Sequence, residues 1–154
     1  MTISELQQLL DCLKGEVVFE RKIVGNAICL WFSVSPQSSN AQCLWLDVPW
    51  RLESADKVVA SSYGFPWERD EGESAEQYRS RFDSACSKSN VVNKAQVVDV
   101  VVDHLTRDLT IVFQSGLTLK TFVVDLEEEN WHFTDYRAGK RYGVSVAMID
   151  VSTV

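Results

Sequence analysis

The chain has little of what usually announces catalysis or nucleic-acid binding. Histidine occurs only twice, at His104 and His132, and no H-x-H, H-E-x-x-H or EF-hand spacing is present, so no ligand set for zinc or calcium can be assembled. The four cysteines, Cys12, Cys29, Cys43 and Cys86, make no C-x-x-C pair and have no histidine nearby. That spacing argues against zinc and redox-dithiol motifs and predicts small buried hydrophobes in a reducing cytosol. Neither G-x-S-x-G, G-x-G-x-x-G nor a Walker-type G-x-x-x-x-G-K occurs, which removes the nucleophile elbow and the phosphate cradles. Carboxylates are too plentiful for any acid–base pair to stand out. The expectation is a non-enzyme with no catalytic residue, cofactor or metal.

Positive charge is also short. Fifteen Lys and Arg face 22 Asp and Glu, for a net charge of −7. A surface of that sign disfavours a phosphate backbone or an anionic membrane and suits a basic partner. No apolar run approaches the length of a bilayer span. The start, Met1-Thr-Ile-Ser-Glu-Leu6, has neither the basic nor the apolar region of a signal peptide, so a cytoplasmic location is expected.

What is present is sheet grammar. At 154 residues, with 45% hydrophobic and 24% charged, the chain is expected to form one domain over 1–154 with a full core. Leu109, Ile111 and Phe113 alternate with the polar or solvent-tolerant Thr110 and Val112, Ser115-Gly116 breaks the run, and Leu117 and Leu119 resume it, which predicts an antiparallel hairpin. Two further hairpins are expected: one from Val17 to Val34 around Gly25-Asn26, the other from Trp50 to Ser61 around Ser54-Ala-Asp56. Cys43–Val48 predicts another strand, and Pro49, unable to donate to a ladder, places an edge or bulge after it. Val97–Val102 is nearly all apolar and predicts a strand buried on both faces or central in the sheet, and Val144–Val151 predicts a closing strand.

Two capping boxes, Thr2-Ile-Ser-Glu5 and Ser74-Ala-Glu-Gln77, open helical patterns. The first carries Ile3, Leu6, Leu9, Leu10 and Leu13 and stops at Gly15. The second carries Ala75, Tyr78, Phe82 and Ala85 on one face, with Arg79 and Asp83 spaced to pair outside it. The class expected is α+β: a mostly antiparallel, curved β-sheet with an N-terminal helix and one central helix packed against it.

Recognition chemistry is the strongest functional signal. Five tryptophans occur, at positions 31, 45, 50, 67 and 131. Trp67 lies in a loop with Glu68, Asp70, Glu71 and Glu73, and a second acidic cluster, Glu127, Glu128 and Glu129, precedes Trp131. An aromatic anchor among carboxylates fits a cationic protein surface, the ring supplying buried area and the charges supplying steering. The basic group Arg137, Lys140 and Arg141 is too small to offset that field and is expected in a solvated turn. His132, between Trp131 and Phe133, is expected to face away from both, solvent-exposed or locally hydrogen-bonded.

Trp45-Leu-Asp-Val-Pro-Trp-Arg-Leu-Glu53, Ser61-Ser62, Leu109–Phe113, Gly116–Phe122 and Glu129-Asn-Trp131 together resemble short bacterial proteins regarded as candidate immunity proteins of polymorphic and contact-dependent growth-inhibition toxin systems. The resemblance spans roughly Leu44 to Phe133. It implies a non-enzymatic protein that binds and neutralises a cognate toxin domain, with no catalytic residue to carry over. A toxin nuclease would be basic, and Trp67, Glu68, Asp70, Glu71, Glu73, Glu127, Glu128 and Glu129 are the residues expected to meet it. The alternative from the residues alone is a small-ligand or accessory module with a pocket lined by Trp31, Trp45 and Trp50.

Overall fold

Two antiparallel sheets and two helices account for the chain in a computed structural model that describes residues 1–47 and 49–154; Val48, expected at the end of a strand, lies outside the described residues. Thr2 caps helix α1 (Ile3–Leu10) by accepting from the Glu5 amide while the Glu5 carboxylate accepts from the Thr2 amide, and a 3-10 turn over Asp11–Leu13 continues it. Gly15, at φ +86°, then reverses the chain in a conformation that costs other residues a steric clash. Leu6, Leu10 and Leu13 are fully buried, so the apolar stripe docks on the protein's own core.

The first sheet contains β1 (Val18–Val24), β2 (Ala27–Phe32), β3 (Gln42–Leu46), β9 (Trp131–Asp135), β10 (Lys140–Val144) and β11 (Ile149–Thr153), in the spatial order β1-β2-β3-β9-β10-β11. The second contains β4 (Trp50–Glu53), β5 (Val58–Ser61), β6 (Val97–Val102), β7 (Leu109–Phe113) and β8 (Thr118–Thr121), in the order β5-β4-β8-β7-β6. All neighbouring pairs are antiparallel, as the alternation predicts. An antiparallel bridge between Val17 and Gln96, flanked by Val18 N–H donating to Ala95 O at 2.9 Å, joins the β1 edge to the β6 edge. The expected α+β class, with a mostly antiparallel sheet, an N-terminal helix and a central helix, is what forms, its strands divided between two sheets that adjoin along one side.

Both sheets turn an apolar face to a common core: Ile28, Leu30, Phe32, Leu44, Leu46, Trp131 and Phe133 from the first, Trp50, Leu52, Val100, Ile111, Phe113 and Leu119 from the second. Two indoles tie the layers. Trp50 Nε1 donates to Asn26 O at 2.6 Å and Trp131 Nε1 to Arg107 O at 3.0 Å, so each buried ring keeps its polar atom satisfied. Helix α2 (Ala75–Lys88), capped by Ser74 and Gln77 as expected, packs beside β5, with Phe82 tilted against the buried Phe65 at 5.5 Å.

Four local expectations are corrected. β6 is an edge strand, with Val98 and Val101 exposed; its apolar density is explained by α1, whose Gln7 donates to Val100 O and accepts from Val102 N–H, covering part of an otherwise open edge. Val144–Val151 is not one strand: Ser145 and Met148 close a turn between β10 and β11. Pro49 marks neither an edge nor a bulge but the passage from one sheet to the other, its carbonyl accepting from Phe122 N–H at 3.0 Å. Arg79 and Asp83 form no ion pair among the described residues; Arg81 is the helix cation that finds carboxylates.

Candidate functional site: an acidic and aromatic face on the first sheet

The face of the first sheet turned away from the core follows from its registers. One row runs Glu20, Trp31, Cys43, Thr134, Arg141, Ser152; the next runs Lys22, Cys29, Trp45, His132, Gly143, Asp150. Aromatic rings cover its middle. Trp45 stacks on His132 with centroids 5.9 Å apart and planes within 7°, and Trp31 stacks on Tyr136 at 5.8 Å. Trp45 Nε1 donates to Asp47 at 2.9 Å, which fixes the indole and places a carboxylate at its rim.

At one end of this face, Trp67 closes a shallow hollow of about 310 Å³ with Val24, Gly25, Asn26, Ala27, Trp45 and Asp47. The loop that carries it is anchored at both ends. Phe65 is buried against Trp50 and Phe82, and Tyr78 Oη donates to Pro66 O at 3.2 Å. Arg81 then grips the far side: Nε and Nη2 bond the two Glu73 oxygens at 3.0 and 2.7 Å, Nη2 donates to Glu68 O, and Asp70 lies at 3.3 Å. The Arg81 guanidinium holds the Glu73 carboxyl below the usual carboxylate range. Trp67 is left standing at 62% exposure beside Glu68, Asp70 and Glu71, all solvent-facing.

The second acidic cluster closes the other end. Buried Asn130 accepts from the amides of Val124 and Asp125 and donates to the carbonyls of Asp125 and Glu128. Asp125 accepts from the amides of Glu127 and Glu128 at 2.9 Å each, which pulls its own carboxyl below the usual range. The backbone thus curls around two side chains and leaves the Glu127 and Glu128 carboxylates in solvent. Glu129 turns inward over Gly143, where a Cβ would meet its carboxylate, and pairs with Arg141 while lying 2.7 Å from His132 Nδ1.

The two clusters, more than fifty positions apart in sequence, are therefore joined: Trp67 borders Trp45 and Asp47, Trp45 stacks on His132, His132 contacts Glu129, and Glu129 shares a small hollow with Glu127 and Asp150. Of the eight residues singled out from the sequence, Trp67, Glu68, Glu71, Glu127 and Glu128 are free to meet a partner, and Asp70 is solvent-facing while keeping an outlying 3.3 Å contact with Arg81. Glu73 and Glu129 are each paired with an arginine of the chain, Arg81 and Arg141, and act as braces. Arg141 likewise belongs to this brace and not to a solvated turn, while Arg137 pairs with Asp135. Asp47, Trp45 and Tyr136 were not singled out as contact residues; only strand parity, combined with the register, brings them onto the same face.

The tryptophans divide. Trp31 and Trp45 share the outward face, whereas Trp50 is in the core on the other side of the molecule's apolar layer, so the three do not line one pocket. His104 is exposed in the β6–β7 turn. Among the described residues, no group of three or more His, Cys, Asp or Glu is arranged to hold a metal ion, and no helix is long and apolar enough to cross a membrane.

Two expected outcomes arise from this geometry. Arg81→Gln should release Glu73 and Asp70, read as faster amide hydrogen exchange at Asp70 and Glu73 with the rest of α2 unchanged; unaltered exchange would show that the loop does not depend on that grip. His132 is the second case. Burial, reinforced by Arg141, lowers its pKa from the ordinary 6.5, with Glu129 opposing. Below about pH 6.5 the unfolded chain then binds more protons than the folded one, so stability rises with pH through that window and falls as the solution is acidified. The difference in urea midpoint between wild type and His132→Asn should narrow between pH 7.5 and pH 5.5, a pH range about the ordinary histidine value; a constant difference would contradict the assignment.

Comparison of the chain with protein-family models, with curated proteins and with solved structures returns no match to any of them.

Proposed function

We propose that this protein is a non-enzymatic immunity protein that binds a cognate toxin domain, a basic nuclease domain, in the cytoplasm and neutralises it through the acidic and aromatic face of the first sheet. The observation that carries the proposal is the joining of the two acidic clusters across that face, with Trp67 and Trp45 between them. A nuclease must present cations where it holds a phosphate backbone. An inhibitor that presents carboxylates at the edges and aromatic area in the middle competes for the same surface. The net charge of −7 extends the attraction beyond the contact itself.

The test is capture of partners from the source cell's lysate by the tagged protein, at low and at high salt, with mass spectrometry of what is retained. One basic protein held at low salt and released at high salt, whose toxicity in cells is suppressed by co-expression, supports the proposal. Retention of acidic proteins or nucleic acid in its place would overturn it.

A second reading has one observation in its favour. The hollow between Trp45 and Trp67 has the aromatic lining of a small-ligand site. A reproducible thermal stabilisation by a metabolite, abolished by Trp67→Ala, would favour that reading.

A further inference from the structure

Cys29 and Cys43 lie fourteen positions apart in sequence, and nothing in their spacing pairs them. In the first sheet they do meet. Cys29 stands opposite Trp45, and Cys43 stands opposite Trp31, so the two thiols are diagonal neighbours on the outward face of adjacent strands, with their sulfurs 2.9 Å apart. Both are reduced and nearly fully covered, at 2% and 4% exposure. The two strands turn this face away from the core. Trp31 and Trp45 flank the pair, and Lys22 stands opposite Cys29 on β1. The Tyr136 phenol, stacked on Trp31, is pushed up by burial and by the charge of the two sulfurs. Trp31 Nε1 has no hydrogen-bond partner among the described residues, which leaves a donor beside the pair unsatisfied.

We propose that Cys29 and Cys43 form a modification site: a thiol pair that a hydroperoxide converts to a disulfide across β2 and β3, beneath the aromatic face. A disulfide bond is about 2.05 Å long, so the sulfurs need approach by only about 0.9 Å from their present separation. With hydrogen peroxide, the Cys29 sulfur attacks one peroxide oxygen, the O–O bond breaks, and Cys29 becomes a sulfenic acid while the other oxygen leaves as water with the Cys29 thiol proton. The Cys43 sulfur then attacks the Cys29 sulfur, the S–O bond breaks, and the hydroxyl departs as a second water with the Cys43 proton. Two thiols are oxidised by two electrons and one peroxide is reduced. Contact with Cys29 and burial hold the Cys43 thiol far above its ordinary range, and the products are the same whichever of the two sulfurs attacks first. Both strands are interior to the sheet, so the bond would lock the spacing of Trp31 and Trp45.

The experiment treats the reduced, folded, full-length protein with hydrogen peroxide, alkylates it, and maps the peptides with and without prior reduction by dithiothreitol. The expected result is the loss of two of the four thiols, a mass lower by two hydrogens, and one dithiothreitol-sensitive crosslink between the Cys29 and Cys43 peptides. Cys29→Ser should leave Cys43 alkylated and uncrosslinked. Separate sulfinic or sulfonic acids at the two positions, a crosslink through Cys12 or Cys86, or four intact thiols after Cys-free control peptides have been oxidised at methionine would each overturn the proposal. The mapping on the wild-type chain needs no variant to fold.

Discussion

Trp131→Ala is expected to remove a large part of the protein's stability. The side chain is fully buried in β9, and its Nε1 donates to the Arg107 carbonyl in the turn between β6 and β7 of the second sheet, so one residue fills the core and links the layers. Truncating a buried tryptophan costs about 3–5 kcal/mol through lost transfer energy and the cavity left behind. The stranded Arg107 carbonyl adds to that cost unless water reaches it. Against a typical domain stability of about 5–15 kcal/mol, the variant should show a sharply lower urea midpoint or fail to fold. An unfolding free energy within about 1 kcal/mol of wild type would mean that the two sheets are not held through this ring. Trp131→Phe, which keeps most of the volume and loses the donor, should fall between the two.

Neutralising the free carboxylates should have the largest effect on binding. The variant Glu68→Gln, Asp70→Asn, Glu71→Gln, Glu127→Gln, Glu128→Gln removes five negative charges from the ends of the face, leaves Glu73 and Glu129 in place, and costs Arg81 only its 3.3 Å contact with Asp70. All five positions are solvent-facing, so the fold should be unaffected. Electrostatically steered association runs at about 10⁸–10⁹ M⁻¹s⁻¹ against about 10⁵–10⁶ for an unsteered pair, so the association rate with the captured basic partner should fall by about 10- to 100-fold. The slope of that rate against salt should flatten at the same time. Trp67→Ala should act on dissociation, as the loss of an exposed aromatic anchor does. Unchanged rates and salt slope in the five-site variant would move the interface elsewhere on the molecule.

Much of the architecture was legible because it is written in local rules. The capping boxes at Thr2 and Ser74, the reversal at Gly15, and the β7–β8 hairpin around Gly116 are each fixed by a few neighbouring residues, and each forms as expected. What was not legible depends on partners far along the chain. The apolar run Val97–Val102 resembles a central strand, yet it is an edge whose cover comes from Leu6, Leu10 and Gln7 some ninety positions earlier. Pro49 resembles an edge marker, but its place is decided by where Phe122 returns.

The site shows the same division. Trp67 and its carboxylates form a loop signal that survives into the structure. The commitment of Glu73 to Arg81 is a matter of helix phase that single-residue spacing does not reveal. The link from Trp67 to Glu127 runs through Trp45 and His132, which share a face only because β3 pairs with β9 in that register. The Cys29–Cys43 contact rests in the same way on the β2–β3 register, which no cysteine motif encodes.

The central claim is that the outward face of the first sheet is where a basic partner sits. Hydroxyl-radical footprinting of the protein, free and bound to the partner it retains at low salt, tests this most directly. The expected result is strong protection of Trp67, Trp45 and Tyr136, with Val98, Val101 and Val58 of the second sheet as reactive in the complex as in the free protein. Protection of Val98, Val101 and Val58 with Trp67 equally reactive in both states would contradict the account.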